Sequence, residues 1–193
     1  MIFISTTLLW GQKTFESKKF GFSMQEPKDW IVTTDEELKK NLEYFDITNE
    51  NLAAMMKTGK GSIMLTAYYK YEVGRKDGFI PKIQIDVLPR STKDYQQFKT
   101  SITRSAESLK KYLEDYEFIQ EPKEITISGT KSVVFIGKFT MRMQSGLEVK
   151  VRARVYAIPY RNYFFQVNFV DGQVEEDNSE FFDKLMKTIK IGN

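Results

Sequence analysis

The sequence predicts an α+β protein, a single antiparallel β-sheet of about six or seven strands flanked by helices. Three observations predict it. Lys131 to Val170 reads as alternating runs, two meeting at Gln144-Ser145-Gly146 and a third following Pro159, which is the pattern of three consecutive antiparallel strands. Tyr95, Phe98, Ile102, Ala106, Leu109 and Leu113 recur at steps of three and four, the stripe of an amphipathic helix lying across such a sheet. Phe181, Phe182, Leu185, Met186 and Ile189 make a second such stripe near the C-terminus. The 193 residues fit one domain with a real core. That domain is expected over residues 13–193, with 1–12 set apart from it.

Met1 to Trp10, MIFISTTLLW, is apolar and uncharged. It resembles the end of a secretory signal peptide, although a basic leading region is missing. Residues 1–12 are therefore expected to be a signal remnant or a tail, and the protein to be periplasmic or secreted. No run approaches the roughly 20 apolar residues of a membrane-spanning helix.

Phe20 to Met24 alternates as a first strand, and Glu26-Pro27-Lys28-Asp29 turns into a short second strand at Trp30-Ile31-Val32. Thr34-Asp35-Glu36-Glu37 is a capping box, followed by a helix face at Leu38, Leu42 and Phe45. Glu50 to Lys57 reads as a second helical piece, closed by Gly59. Lys57 to Ser62 is not a phosphate loop, because Ala54 and Gly61 stand where Gly and Ser or Thr are needed. Ser62 to Tyr71 alternates, with Ile63, Leu65, Ala67, Tyr69 and Tyr71 on one face, and Lys82 to Leu88 alternates again. Ser91 or Thr92 caps the long helix, expected over Lys93 to Leu113. Glu124 to Ser128 is a short strand that turns at Gly129-Thr130 into the central block. The acidic run at Glu175-Glu176-Asp177 suits the start of the last helix, since carboxylates there meet the positive end of the helix dipole.

The phrase FGFSMQEPKDWIV, an aromatic-Gly pair at Phe20-Gly21 followed by Pro27 and Trp30, resembles the opening of the PsbP-like α/β/α sandwich family. The ending, YFFQVNF followed by FFDKLMKTIKI, is similar to that family's last strand and C-terminal helix. The resemblance runs from about Phe20 to Ile191 in the order of elements. It implies the sandwich architecture and carries no functional residue to any position here.

Composition excludes more than it selects. With no His and no Cys, the chain has no imidazole base, no thiolate nucleophile, no zinc-thiolate site and no disulfide. A net charge of +3 is too small for a nucleic-acid-binding stripe. Neither cofactor nor metal is expected.

If the odd positions of the central strands form one apolar face, the even positions collect Lys138, Lys150, Arg152, Arg154, Gln166 and Asn168 on the other. Pairing across the Gln144–Gly146 turn then sets Arg142 near Glu148 and Lys138 near Arg152. Like charges opposed across strands are unfavourable, so that face is the candidate site for an envelope protein partner or a small anionic ligand. Tyr68, Lys70, Gln84 and Asp86 join it if the earlier strands lie in the same sheet. The expected function is a non-catalytic exported binding or accessory module. The alternative is a carboxylate-based hydrolase of the envelope, with Asp86, Glu72 and Glu148 as candidate acids.

Overall fold

The computed structural model describes residues 13–33, 61–72, 79–142, 146–173 and 176–192. The signal-like stretch 1–12, the helical pieces expected between 34 and 57, and Glu175 lie outside the described residues.

Among the described residues, ten strands form two antiparallel sheets. The large sheet has seven strands in the order β3 (Ile31–Val32), β4 (Ile63–Tyr69), β5 (Lys82–Pro89), β9 (Tyr163–Gly172), β8 (Glu148–Tyr160), β7 (Thr130–Arg142) and β6 (Glu114–Ile127). The small sheet joins β1 (Thr14–Ser17), β2 (Phe22–Gln25) and β10 (Lys190–Ile191). The expectation of one sheet is thereby corrected. The strand at Phe22 pairs with β1 and with the chain's last residues, and so forms a layer of its own.

Both faces of the large sheet are covered. On the back lies helix α1 (Tyr95–Ser108), whose Phe98, Ile102 and Ala106 pack on Val133, Phe135, Ala157 and Phe164. A single 3₁₀ turn, Leu109–Lys111, ends it short of the expected Leu113. Its cap is Asp94, not Ser91 or Thr92, and the Asp94 carboxylate accepts the Gln97 amide at 2.8 Å. On the front lie the small sheet and helix α2 (Ser179–Met186). Phe22 meets Phe165 at 5.0 Å between ring centres, and Phe182 meets Phe169 at 4.8 Å. Trp30 stacks on Phe181 at 5.5 Å, so the tryptophan of the opening phrase ties β3 to α2.

Register decides which residue faces which layer. The β7–β8 pairing sets Arg142 opposite Glu148 and Lys138 opposite Arg152, as the sequence predicts. The β8–β9 turn is only Arg161-Asn162, so Tyr160 pairs with Tyr163 and even positions of β8 face the same side as odd positions of β9. A face made only of odd positions therefore cannot extend across β8 and β9. A bulge at Leu65 does the same within β4. Beyond it Thr66 and Tyr68 take the front with Ile85 and Ile83, in place of the expected Ala67 and Tyr69.

β6 runs for 14 residues, starting ten residues before the short strand expected at Glu124. Pro122 sits inside it without harm, because β6 is the sheet's edge and its outer N–H groups bond to nothing in the ladder. Three register shifts interrupt its pairing with β7. The turn at its end is Ser128-Gly129, both with positive φ, as the commonest two-residue hairpin requires.

Gly137 in β7 leaves room for the Tyr116 ring. A Cβ there would lie 2.6 Å from the Tyr116 hydroxyl and ring edge, inside any real contact distance. We expect Gly137→Ala to lower stability by about 1–3 kcal/mol in denaturant titration. The same change in a Tyr116→Ala background should cost far less, and equal costs would show that the ring is not the cause.

Burial pushes the phenols of Tyr68, Tyr116 and Tyr163 up to about 12. The folded state thus favours the neutral phenols. Their contribution is fully present below the ordinary phenol pKa of about 10 and is lost as pH climbs towards 12. Phenolate absorbance from these residues should therefore appear only as pH approaches 12, and its appearance near pH 10 while the far-ultraviolet dichroism is intact would contradict the assignment.

Candidate functional site

Strand β8 changes character along its length. Glu148, Lys150, Arg152 and Arg154 face the front at one end, then Tyr156 and Ile158 at the other. The change falls where the front layer begins. Thirteen residues of strand extend roughly 43 Å, whereas the eight residues of α2 cover roughly 12 Å. The ends of β6, β7 and β8 near the β7–β8 hairpin are charged on the front.

Arg152 and Arg154 are closed into the structure. Arg152 lies opposite Asp171 and grips its carboxylate with two hydrogen bonds, Nε to Oδ1 at 2.9 Å and Nη2 to Oδ2 at 2.8 Å. Asp171 is fully buried and also accepts the Asn178 amide at 2.8 Å. Arg152 reaches Asp177 as well, at 2.7 Å. The Ser179 hydroxyl and amide, then Arg152, hold the Asp177 carboxyl well below the usual range. Arg154 donates to the Ser179 hydroxyl and approaches Asp183 at 3.4 Å. Lys70 donates to Asn178 at 2.8 Å. These cations fasten the approach to α2 onto the sheet.

Lys138 and Lys150 are exposed and line a cleft of about 450 Å³ with Asp115, Tyr116, Glu117, Phe139 and Gln173. Lys138 pairs with Glu117 at 2.8 Å. Lys150 donates to the Thr140 hydroxyl at 2.6 Å and to Asp115 at 3.1 Å. The acids come from the first register shift of β6, where Glu114 pairs with Thr140 and Glu117 with Lys138, one residue more on β6 than on β7. Asp115 takes a left-handed φ of 54° at this bulge. Aspartate tolerates that conformation better than most residues. The kink aims its carboxylate across β7 at Thr140 and Lys150. Thr140 first, then Lys150, holds the Asp115 carboxyl below its usual range, and Lys138 does the same for Glu117.

Gln166 and Asn168 lie on the back, separated from the four cations by the sheet itself. They sit opposite Asp86 and Gln84, so the expected company of Gln84 and Asp86 is found, while Tyr68 is on the front. The four make a polar square. Gln84 donates to both Asp86 oxygens at 2.8 Å, Asn168 donates to Asp86 at 3.3 Å, and Gln166 donates to Asn168 at 3.2 Å. Burial raises the Asp86 carboxyl pKa, and the Gln84 amide opposes that rise.

The structure therefore brings together Lys138, Lys150, Arg152 and Arg154, and sets Gln166 and Asn168 apart. The candidate acids do not form a pair. Asp86 is on the back of β5, Glu148 is on the front of β8 beside Arg142 at 3.3 Å, and Glu72 follows β4. Among the described residues no group of three or more Asp or Glu is placed to hold a metal. No described helix is long and apolar enough to cross a membrane. Sequence reasoning missed Asp115, Glu117, Asp171 and Gln173. Asp115 and Glu117 were hidden because their stretch does not alternate as a strand, and the bulges are why.

Set against solved structures, this arrangement is the PsbP-like fold. The solution structure of cyanobacterial PsbP (CyanoP) from Synechocystis sp. PCC 6803 superposes with a TM-score of 0.56 at 10% identity, over 93% of this chain and 92% of that one. The crystal structure of LpqN, involved in cell envelope biogenesis of Mycobacterium tuberculosis, gives 0.52 at 12% identity, over 89% of this chain and 83% of that one. The Saccharomyces cerevisiae Ran-binding protein Mog1p gives 0.48 at 11% identity. No family model matches the sequence, and no curated protein does. At these identities the likeness concerns the fold alone.

Truncating Arg152 leaves the Asp171 carboxylate buried without the guanidinium that pairs with it, and with the Asn178 amide remaining. We expect Arg152→Leu to cost about 3–5 kcal/mol of stability in denaturant titration. Lys138→Gln, which removes only a solvent-exposed pair, should leave the midpoint nearly unchanged. Equal losses for the two would contradict the division between clamp and cleft.

Proposed function

We propose that the protein is a non-catalytic binding or accessory module of the cell envelope, and that it engages a protein partner through the β6–β8 cleft. The observation that carries this is the contrast between the two groups of cations. Arg152 and Arg154 are buried in ion pairs that hold α2, whereas Lys138 and Lys150 stand at the mouth of an open cavity with exposed counter-charges. Exposed pairs are weak and exchange readily for other partners. Support for the envelope setting comes from LpqN, whose described role is in envelope biogenesis, and from the signal-like stretch before residue 13. Fold likeness by itself says little of role, so the cleft carries the reading.

The test is cross-linked capture from envelope preparations of the native host. Wild-type protein and Lys184→Glu, a change on the exposed side of α2, should recover the same stoichiometric partner. Lys138→Glu/Lys150→Glu should lose it. Recovery of that partner by the double variant would place the binding surface elsewhere.

A further inference from the structure

The cleft also says what kind of chain fits it, and this step rests on the binding reading above. Lys138 and Lys150 are diagonal neighbours on adjacent strands, because Lys138 faces Arg152 and Lys150 faces Thr140. Diagonal positions on a sheet face are about 7–8 Å apart. Alternate residues of an extended chain are separated by nearly the same distance, about 6.6 Å. The protein already contains a segment whose two carboxylates reach both lysines. Asp115 and Glu117 are two residues apart at the first bulge of β6, and one carboxylate meets Lys150 at 3.1 Å while the other meets Lys138 at 2.8 Å.

From this we infer that Asp115 and Glu117 are stand-ins for the partner. The cleft takes an extended acidic segment, with Asp or Glu at alternate positions, whose carboxylates replace those of Asp115 and Glu117 on the two lysines. Three features make the exchange feasible. Both β6 carboxylates are largely exposed and can swing to solvent without desolvation. Gln173 borders the cleft, and the buried Thr140 hydroxyl beneath it accepts from Lys150 and holds that lysine in place. The carboxylates flanking Arg152 are fixed in the clamp and take no part. A single inorganic anion, with its oxygens around one atom, must draw both lysines away from their β6 partners onto one point, whereas alternate carboxylates meet each lysine where it stands. The stand-ins act as a built-in competitor, weakening the cleft for lone anions and leaving it to chains that offer both charges at once.

The experiment uses the whole chain and synthetic peptides, read by calorimetry at low ionic strength, where surface charge is least screened. One peptide alternates Glu with Thr; a second has the same composition with its Glu residues contiguous; inorganic phosphate is the third probe. Wild type should bind the alternating peptide more tightly than the contiguous one and bind phosphate weakly. Asp115→Asn/Glu117→Gln removes the competing pairs and should tighten the alternating peptide about tenfold. Lys138→Gln/Lys150→Gln should abolish binding, with circular dichroism showing each variant folded. The inference is overturned if the Asp115/Glu117 variant binds no more tightly than wild type, if the two peptides bind alike, or if phosphate competes as well as peptide. Any of these alongside lysine-dependent partner capture would leave the cleft as a binding surface for a partner of different chemistry.

Discussion

The β8–β9 hairpin turns in two residues, Arg161 and Asn162, and most of the molecule's polarity follows from that count. A two-residue turn pairs positions whose numbers sum to an odd value, as Tyr160 and Tyr163 do. The longer β7–β8 connection pairs positions with an even sum, as Arg142 and Glu148 do. Crossing the sheet from β7 to β9 therefore exchanges odd for even. Phe165, Val167 and Phe169 arrive on the same side as Tyr156, Ile158 and Val134, and that side receives α2 and the small sheet. Had the turn held three residues, Asp171 would face the other layer and Arg152 would have no buried counter-ion.

That clamp explains how charged residues lie inside a front layer otherwise built from aromatic rings. Asp171 is satisfied by two guanidinium hydrogen bonds and one backbone amide, a number close to what a carboxylate needs when water is excluded. It simultaneously fixes Asn178, the residue that begins α2. The helix carries Phe182, Leu185 and Met186 into the core, so the polar clamp and the apolar contacts depend on each other. Of the cleft lysines, Lys150 lies farther toward the β7–β8 hairpin than this clamp and Lys138 lies level with it on the neighbouring strand; their ion pairs run to Asp115 and Glu117 instead.

Much of this was legible in the sequence, for reasons that separate cleanly. Amphipathic stripes at Phe98, Ile102 and Ala106 and at Phe182, Leu185 and Met186 are local patterns, and local patterns survive folding. The β7–β8 register followed from its turn. What failed was the assumption that parity carries through a second turn, which placed Gln166 and Asn168 with the arginines. The bulge at Leu65 and the three in β6 failed for the same reason, since a bulge adds one residue to one strand and leaves no mark in composition. The split between Arg152 and Lys150 could not be read at all. It depends on where α2 begins, a tertiary fact about two residues that are alike in sequence and adjacent in pattern.

The placement of the candidate site follows from the same mismatch of lengths. Among the described residues the strands outrun the layers that cover them, so the sheet ends there in polar side chains, and an edge strand at that end must avoid pairing with other chains. β6 meets the second demand with bulges, Pro122 and acidic side chains, all of which blunt an edge. The devices that protect the edge are thus the ones that build the cleft. The bulge turns Asp115 inward over Thr140 and Lys150, and the protective acids supply the counter-charges to the two lysines. An overhang needs only solvation, which any polar residues would provide. Here cations stand on the inner strands and acids on the edge, and the diagonal placement of Lys138 and Lys150 is the spacing that the proposed acidic segment has to match.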